Sequence, residues 1–348
     1  MRWDDEVRHN DGGALEDQQL FLPDTSPPPA PPAPVAPPSG TAAAHVEATP
    51  PEQAPVAEVE VVFEVLPEPL EVLAEDSFVE APQVVQPQAP PLDLPAGRVV
   101  AVVNQKGGVG KTTSTINLGA ALAIEGARVL LVDFDPQGAL SVGLGLNPNS
   151  LDLTVYNLLL DASVTFEEVV QHCKIDGLDL IPSNIDLAGA EIMLVSEVAR
   201  EQSLKRALAG AKDRYNYILI DCPPSLGLLT VNALTAAQAV LIPLECEYFA
   251  LRGMALLMDT LTKIQERINP DLEIAGILAT MLDARTIHGR EVLSRVTDAF
   301  GDKLFKTIIH KTIKFAEAPV AGEPIVTYAP KSGGAREYRE LAREVMSR

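Results

Sequence analysis

From Arg98 onward, short apolar runs rich in valine, isoleucine and leucine alternate with longer stretches in which apolar residues recur every three or four positions. An uninterrupted apolar run fits a strand covered on both faces, and the wider spacing fits a helix with one buried side. The pattern predicts strands over Val99–Asn104, Arg128–Phe134, Leu178–Pro182, Tyr217–Asp221, Ala239–Pro243, Glu273–Leu282 and Leu304–Ile309. It predicts helices over Ser114–Glu125, Leu226–Ala236, Leu251–Ile268, Arg290–Phe300 and Gly334–Ser347. Strands and helices in this alternation imply an α/β fold, a doubly wound, mostly parallel sheet with helices on both faces. No internal repeat is visible.

Upstream of Arg98 the pattern is lost. Residues 23–55 are rich in proline and alanine, a composition that stays extended and disordered because it has little to bury. Residues 56–73 alternate apolar and acidic side chains, as in Glu58-Val59-Glu60-Val61-Val62-Phe63-Glu64-Val65-Leu66. Pro67 and Pro69 break that alternation, so a solvated acidic linker is a simpler reading than a partner-binding strand. Residues 1–97 hold 19 of the 29 prolines and 18 acidic against 2 basic side chains, whereas the remainder holds 30 acidic and 25 basic. The shift predicts a disordered acidic extension over 1–97 and a folded domain over 98–348, long enough for a sizeable core.

Cys173, Cys222 and Cys246 are widely spaced and form no C-x-x-C pair, so neither a disulfide framework nor a cysteine metal site is expected. Met1 to Asp17 is acidic and lacks the basic and apolar regions of a signal peptide. No stretch approaches the length of uncharged apolar sequence that a spanning helix needs. A cytoplasmic setting without membrane insertion is the resulting expectation.

Candidate chemistry begins where the first strand stops, at Asn104-Gln105-Lys106-Gly107-Gly108-Val109-Gly110-Lys111-Thr112-Thr113. Gly107, Gly108 and Gly110 leave the backbone bare enough for successive N–H groups to curl round a phosphate. The positive end of the following helix faces that phosphate, and Lys111 reaches its outer oxygens. Thr112 is placed to offer its hydroxyl to Mg2+, and Lys106, Val109 and Thr113 complete the nucleotide-binding stretch. The general pattern G-x-x-x-x-G-K-[ST] fails by one residue, since Gln105 stands where glycine is required, and a second lysine, Lys106, opens the loop. The pattern G-x-G-x-x-G fails at Thr113, so a nicotinamide or flavin site is disfavoured.

Two other strands end in acid. Val129-Leu130-Leu131-Val132 runs into Asp133-Phe134-Asp135-Pro136-Gln137, and Tyr217-Ile218-Leu219-Ile220 into Asp221-Cys222-Pro223-Pro224. In α/β sheets functional groups gather at the carboxyl ends of strands. Asp221 fits the Walker B position, binding Mg2+ directly or through water. Asp135 fits a residue that positions the attacking water or holds the metal's water shell, while Asp133 serves either the metal environment or the structure. Together the three strand ends describe a Mg2+–ATP site for phosphoryl transfer to water, with Lys106, Lys111 and Asp135 as the catalytic candidates.

At these residues the chain resembles the ParA/Soj branch of the deviant Walker ATPases, which partition chromosomes and plasmids and are similar to the division-site protein MinD. The resemblance spans about residues 98–348. It also includes Cys246-Glu247-Tyr248-Phe249-Ala250-Leu251 and Thr280-Met281-Leu282-Asp283-Ala284-Arg285-Thr286. It implies that ATP closes two subunits face to face, with Lys106 reaching the other subunit's phosphates. It further implies DNA binding without sequence preference and a centromere-binding ParB-type partner.

Residues 285–314 form the most basic window, with Arg285, Arg290, Arg295, Lys303, Lys306, Lys311 and Lys314 against Glu291, Asp298 and Asp302. Such a run is often a solvated helix face. The family match makes Arg285 the leading DNA contact, with Lys314 at a second family arginine position. Relatives commonly read Ile-Pro-Arg-Asn-Val-Arg-Leu-Ser-Glu-Ala-Pro here, whereas this chain has Ile309-His310-Lys311-Thr312-Ile313-Lys314-Phe315-Ala316-Glu317-Ala318-Pro319. A MinD-like membrane switch is the binding alternative, although the mixed-charge C-terminal stretch reads better as a packed helix. A nitrogenase iron protein or an amidoligase is the enzyme alternative. Charge alone suggests that the acidic extension competes with DNA for the basic window, over a screening length of about 8 Å.

Overall fold

A computed structural model describes residues 94, 95, 97–247, 250–283 and 286–348. Arg285 and the expected extension up to residue 93, including 23–55 and 56–73, lie outside the described residues. Among the described residues seven strands form one sheet: β1 (Arg98–Val102), β2 (Val129–Asp133), β3 (Gln171–His172), β4 (Leu178–Ile181), β5 (Tyr217–Asp221), β6 (Ala239–Glu245) and β7 (Glu273–Thr280). Their order is β3-β4-β2-β5-β1-β6-β7, and every pair is parallel except β3 with β4. The doubly wound α/β expectation therefore holds.

Crossovers and connections are made by α1 (Lys111–Ile124), α2 (Ala139–Gly143), α3 (Val155–Leu160), α4 (Phe166–Val169), α5 (Leu187–Leu194) and α6 (Ser203–Ala207). They continue with α7 (Leu228–Ala236), α8 (Ala250–Arg267), α9 (Ile287–Phe300), α10 (Lys314–Val320), α11 (Ile325–Tyr328) and α12 (Gly333–Ser347). Helices α2 to α6, α10 and α11, together with β3, were not foreseen, because two to eight residues are too few to display a period.

β1 lies between β5 and β6, and its side chains serve the two faces alternately. Val99, Ala101 and Val103 pack in the layer that holds Leu229 of α7 and Leu257 of α8, whereas Val100 and Val102 pack with Leu118 of α1 and Leu341 of α12. This burial on both sides is why β1 reads as a continuous apolar run. A buried contact between Ser114 Oγ and Tyr338 Oη, 3.1 Å, ties α12 to the first turn of α1.

The strand expected over Leu304–Ile309 requires correction. That segment runs beside β7 but forms only isolated bridges, Ile277 with Leu304 and Leu282 with His310. The N–H groups of Lys306 and Thr307 donate instead to the Glu344 carboxylate of α12, at 2.9 and 3.1 Å, which interrupts the ladder. Apolar patterning cannot reveal such a competitor.

Candidate functional site

The parallel register sets Val102 of β1 and Asp133 of β2 both against Asp221 of β5, so three strand ends lie side by side. β1 gives way to the glycine loop because Gly108 and Gly110 adopt φ of 77° and 86°, a left-handed backbone that disfavours other residues. A Cβ built on Gly107 or Gly108 would meet nothing within 4 Å, so the loop faces open space.

Side chains hold the loop from outside. Asn104 Nδ2 donates to the Pro243 carbonyl at 2.7 Å, and its Oδ1 accepts from Lys106 N at 2.9 Å. Gln105, where the general pattern has glycine, donates through Nε2 to the Gly253 carbonyl of α8 at 2.7 Å. The departure from that pattern thus serves as a tether between loop and helix. From β7, Thr280 Oγ1 donates to the Val109 carbonyl at 2.9 Å.

Lys111 is the first residue of α1 and is buried, with Nζ donating to the Lys106 carbonyl at 3.3 Å. Burial lowers its pKa, against the opposing charges of Asp221 and Asp135. Asp221 is fully buried. Its Oδ1 accepts from Thr115 Oγ1 at 3.3 Å, the Thr112 hydroxyl also faces the carboxyl and favours its charged form, and Oδ2 has no partner of good hydrogen-bond geometry among the described residues. Burial first, and the neighbouring Asp133 charge second, push Asp221 up to about 8.

Asp133 is also fully buried, but Ser141 engages it: Oδ2 accepts from Ser141 N at 2.9 Å and from Ser141 Oγ at 2.7 Å. Burial raises it to about 7 despite those bonds. Asp135 is half-buried, and its Oδ1 accepts from Gln137 N at 2.9 Å. Thr112 and Thr113 line a cavity of about 240 Å³ with Ile116, Asn117, Phe315 and Pro319.

Lys106 is half-exposed and bound within its own chain, with Nζ 2.8 Å from Glu245 Oε2 and 2.7 Å from Glu247 Oε2. Burial pulls its pKa down, but the two carboxylates outweigh that and leave it raised. Lys314 begins α10, ion-paired with Glu317 at 2.7 Å, with its ammonium 5.7 Å from the Tyr328 ring centre. The structure places Lys111 against the Lys106 carbonyl and within electrostatic reach of Asp135 and Asp221, whereas the neighbouring Ser141, Thr115, Thr280 and Glu245 were not singled out from the sequence. The position of Glu245 at a strand tip was the available signal; a hydroxyl such as Ser141 gave none.

The arrangement suits a metal-bound polyphosphate. The loop offers bare amides and a buried cation, and Asp221 keeps a buried carboxyl oxygen unspent beside them. Cys222, the cysteine next to the site, is fully buried with its thiol pushed up by burial, which suits a packed side chain better than a cluster ligand.

A family described as an AAA domain matches residues 97–274. An uncharacterized protein of Mycobacterium tuberculosis is 57% identical over 267 residues, covering 77% of this chain and 84% of its own. The chromosome-partitioning ATPase Soj of Treponema pallidum is 52% identical, covering 72% of this chain and 98% of its own. Among solved structures, one described as cobyrinic acid a,c-diamide synthase from Mycobacterium smegmatis with bound ADP and magnesium shares 44% identity. It superposes with a TM-score of 0.63 over 71% of this chain and 92% of its own.

Proposed function

Because the chain belongs to the ParA/Soj family of P-loop partitioning ATPases, we propose that it hydrolyses Mg2+–ATP as an ATP-dependent homodimer that partitions chromosome or plasmid DNA. In the ATP state it holds nucleoid DNA in the cytoplasm without sequence preference, and it releases that DNA after hydrolysis stimulated by a ParB-type partner. The observation that carries this reading is the convergence of Lys111, Asp135 and Asp221 on an open glycine loop, with Asp221 Oδ2 buried and unpartnered among the described residues.

The residues divide the work by chemistry. Amides of Gly107, Gly108, Val109 and Gly110 hold phosphate oxygens, and Lys111 balances their charge. Thr112 and Asp221 would hold the metal, and Asp135 would orient a water and support the metal's shell. Mg2+ held there would supply charge neutralisation for phosphoryl transfer to water, with ADP as the leaving group. Thr113 flanks the nucleotide. Lys106 leaves Glu245 and Glu247 to complete the other subunit's site, and Arg285 with Lys314 contacts DNA phosphates, a charge-driven interaction that weakens steeply with salt.

Steady-state ATPase rates measured with DNA alone, a ParB-type protein alone and both test the proposal. Synergistic stimulation is expected, and no stimulation by either would remove partitioning from the reading. The similarity to a structure described as a diamide synthase favours one competitor. Glutamine-dependent amide formation, with no effect of DNA, would support that alternative. Among the described residues no helix is long and apolar enough to cross a membrane.

A further inference from the structure

We infer that Ser141 is a positioning residue for Asp135, acting through Asp133; only the kinetic consequence rests on the ATPase reading above. Asp133 uses both carboxylate oxygens. Oδ2 takes the N–H and the hydroxyl of Ser141, at 2.9 and 2.7 Å, and Oδ1 takes the N–H of Asp135 at 3.4 Å. Ser141 Oγ in turn accepts from Ser183 N at 3.1 Å, just beyond β4. One buried hydroxyl therefore joins the end of β2, the start of α2 and the end of β4.

The turn is pressed onto β4 as well. Gly138 precedes α2 with φ 62°, and a Cβ there would lie 2.7 Å from the Ser183 carbonyl. Asp135 is held by its neighbours: its carbonyl accepts from Gly138 N at 2.9 Å and its Oδ1 from Gln137 N. The direction in which this turn leaves β2 is therefore fixed by the Asp133–Ser141 pair. Ser141 and the Asp135 N–H engage both oxygens of Asp133, whereas Oδ2 of its register partner Asp221 has no hydrogen-bond partner among the described residues. A fully satisfied buried network is rigid, whereas removal of one donor leaves a buried acceptor unmet.

Ser183 provides an internal control, since its own hydroxyl is buried without a partner among the described residues and its contribution to the network comes from the backbone. The full-length chain is compared as wild type, Ser141→Ala, Ser141→Thr and Ser183→Ala. Readouts are Mg2+–ATP affinity, kcat, melting temperature and amide exchange of the 134–142 segment. Ser141→Ala should keep nucleotide affinity within about twofold, lower kcat about ten- to hundredfold, and speed exchange of the segment about tenfold. Ser183→Ala should match the wild type, and Ser141→Thr should recover much of the loss if the variant remains folded.

Unchanged kcat and exchange in Ser141→Ala would overturn the inference, as would an equal loss in Ser183→Ala, which would mark a general packing effect. A wild-type chain that binds Mg2+–ATP yet hydrolyses none would defeat the ATPase reading. The exchange measurement would still decide the role of Ser141.

Discussion

Lys106 Nζ lies 2.8 Å from Glu245 Oε2, so the lysine that opens the phosphate loop is neutralised by a carboxylate at the tip of β6. Glu247 adds a second contact at 2.7 Å. Half-exposed pairs of this kind contribute about 0–1 kcal/mol each, a hold weak enough for a second subunit's phosphates to compete with. Lys106→Ala should leave a monomer that binds nucleotide but does not dimerise with ATP. Glu245→Gln combined with Glu247→Gln should let the dimer form at an ATP concentration lower by about two- to fivefold. Light scattering across an ATP titration reads both, and a normal ATP dimer from Lys106→Ala would refute its role across the seam.

Lys111 and Asp135 should separate binding from chemistry. Losing a charge-assisted contact to phosphate costs about 1.5–3 kcal/mol, so Lys111→Ala should weaken Mg2+–ATP binding about ten- to hundredfold. Asp135→Ala should bind nucleotide normally and lose about a hundredfold or more in kcat. Binding titrations and single-turnover hydrolysis would distinguish the two patterns. An Asp135→Ala variant with wild-type turnover would exclude it from orienting water.

Raising the pH should destabilise the ligand-free chain. Folded Asp133 stands at about 7 and Asp221 at about 8, both above the ordinary 3.8. Between about pH 4 and 8 the folded chain keeps protons that the unfolded carboxyls have released, so the unfolding free energy falls as pH rises. Melts without nucleotide or divalent cation should show Tm dropping by several degrees across that window, and Asp221→Asn should reduce the drop. An equal drop in wild type and Asp221→Asn would show that the Asp221 carboxyl is not responsible.

DNA binding should depend on charge at two positions. Arg285→Glu and Lys314→Glu should each weaken retention on DNA without affecting ATP-dependent dimerisation. Neutral replacement of either should reduce the slope of log affinity against log salt by about one unit. Lys314 must exchange its Glu317 partner for a phosphate. Unchanged binding at low salt would remove both residues from the interface.

Glu344 accepts from Lys306 N, Thr307 N and Thr307 Oγ1, holding the segment beside β7 in place. Glu344→Ala leaves those donors unmet and should cost about 1–3 kcal/mol of stability, measurable by denaturant unfolding. A change below about 0.5 kcal/mol would mean that water replaces the carboxylate at no cost.

The phosphate loop was legible because its determinants are contiguous: an apolar strand, glycines that permit positive φ, and a lysine at the first helical position. The acid at the tip of β5 was legible for a similar reason, since Tyr217–Asp221 is a strand with the boundaries its pattern implies. The short helices α3 and α5 were not, because their lengths span fewer than three turns. Which of Asp133 and Asp221 has both carboxylate oxygens hydrogen-bonded was illegible for a different reason. Both end apolar strands, and only the position of Ser141 shows which one is already satisfied.

The sequence by itself determined the alternating α/β order, the bare loop ending at Lys111 and the presence of acids at neighbouring strand ends, because each follows from local backbone preference and burial period. Tertiary structure decided what those groups touch. Lys106 meets carboxylates 139 and 141 residues away because strand order places the β6 tip beside the β1 loop. Glu344 captures the amides of 306 and 307 because α12 packs beside them. Contacts of that range depend on the sheet order and on which buried donor finds which acceptor, and no local pattern carries that information.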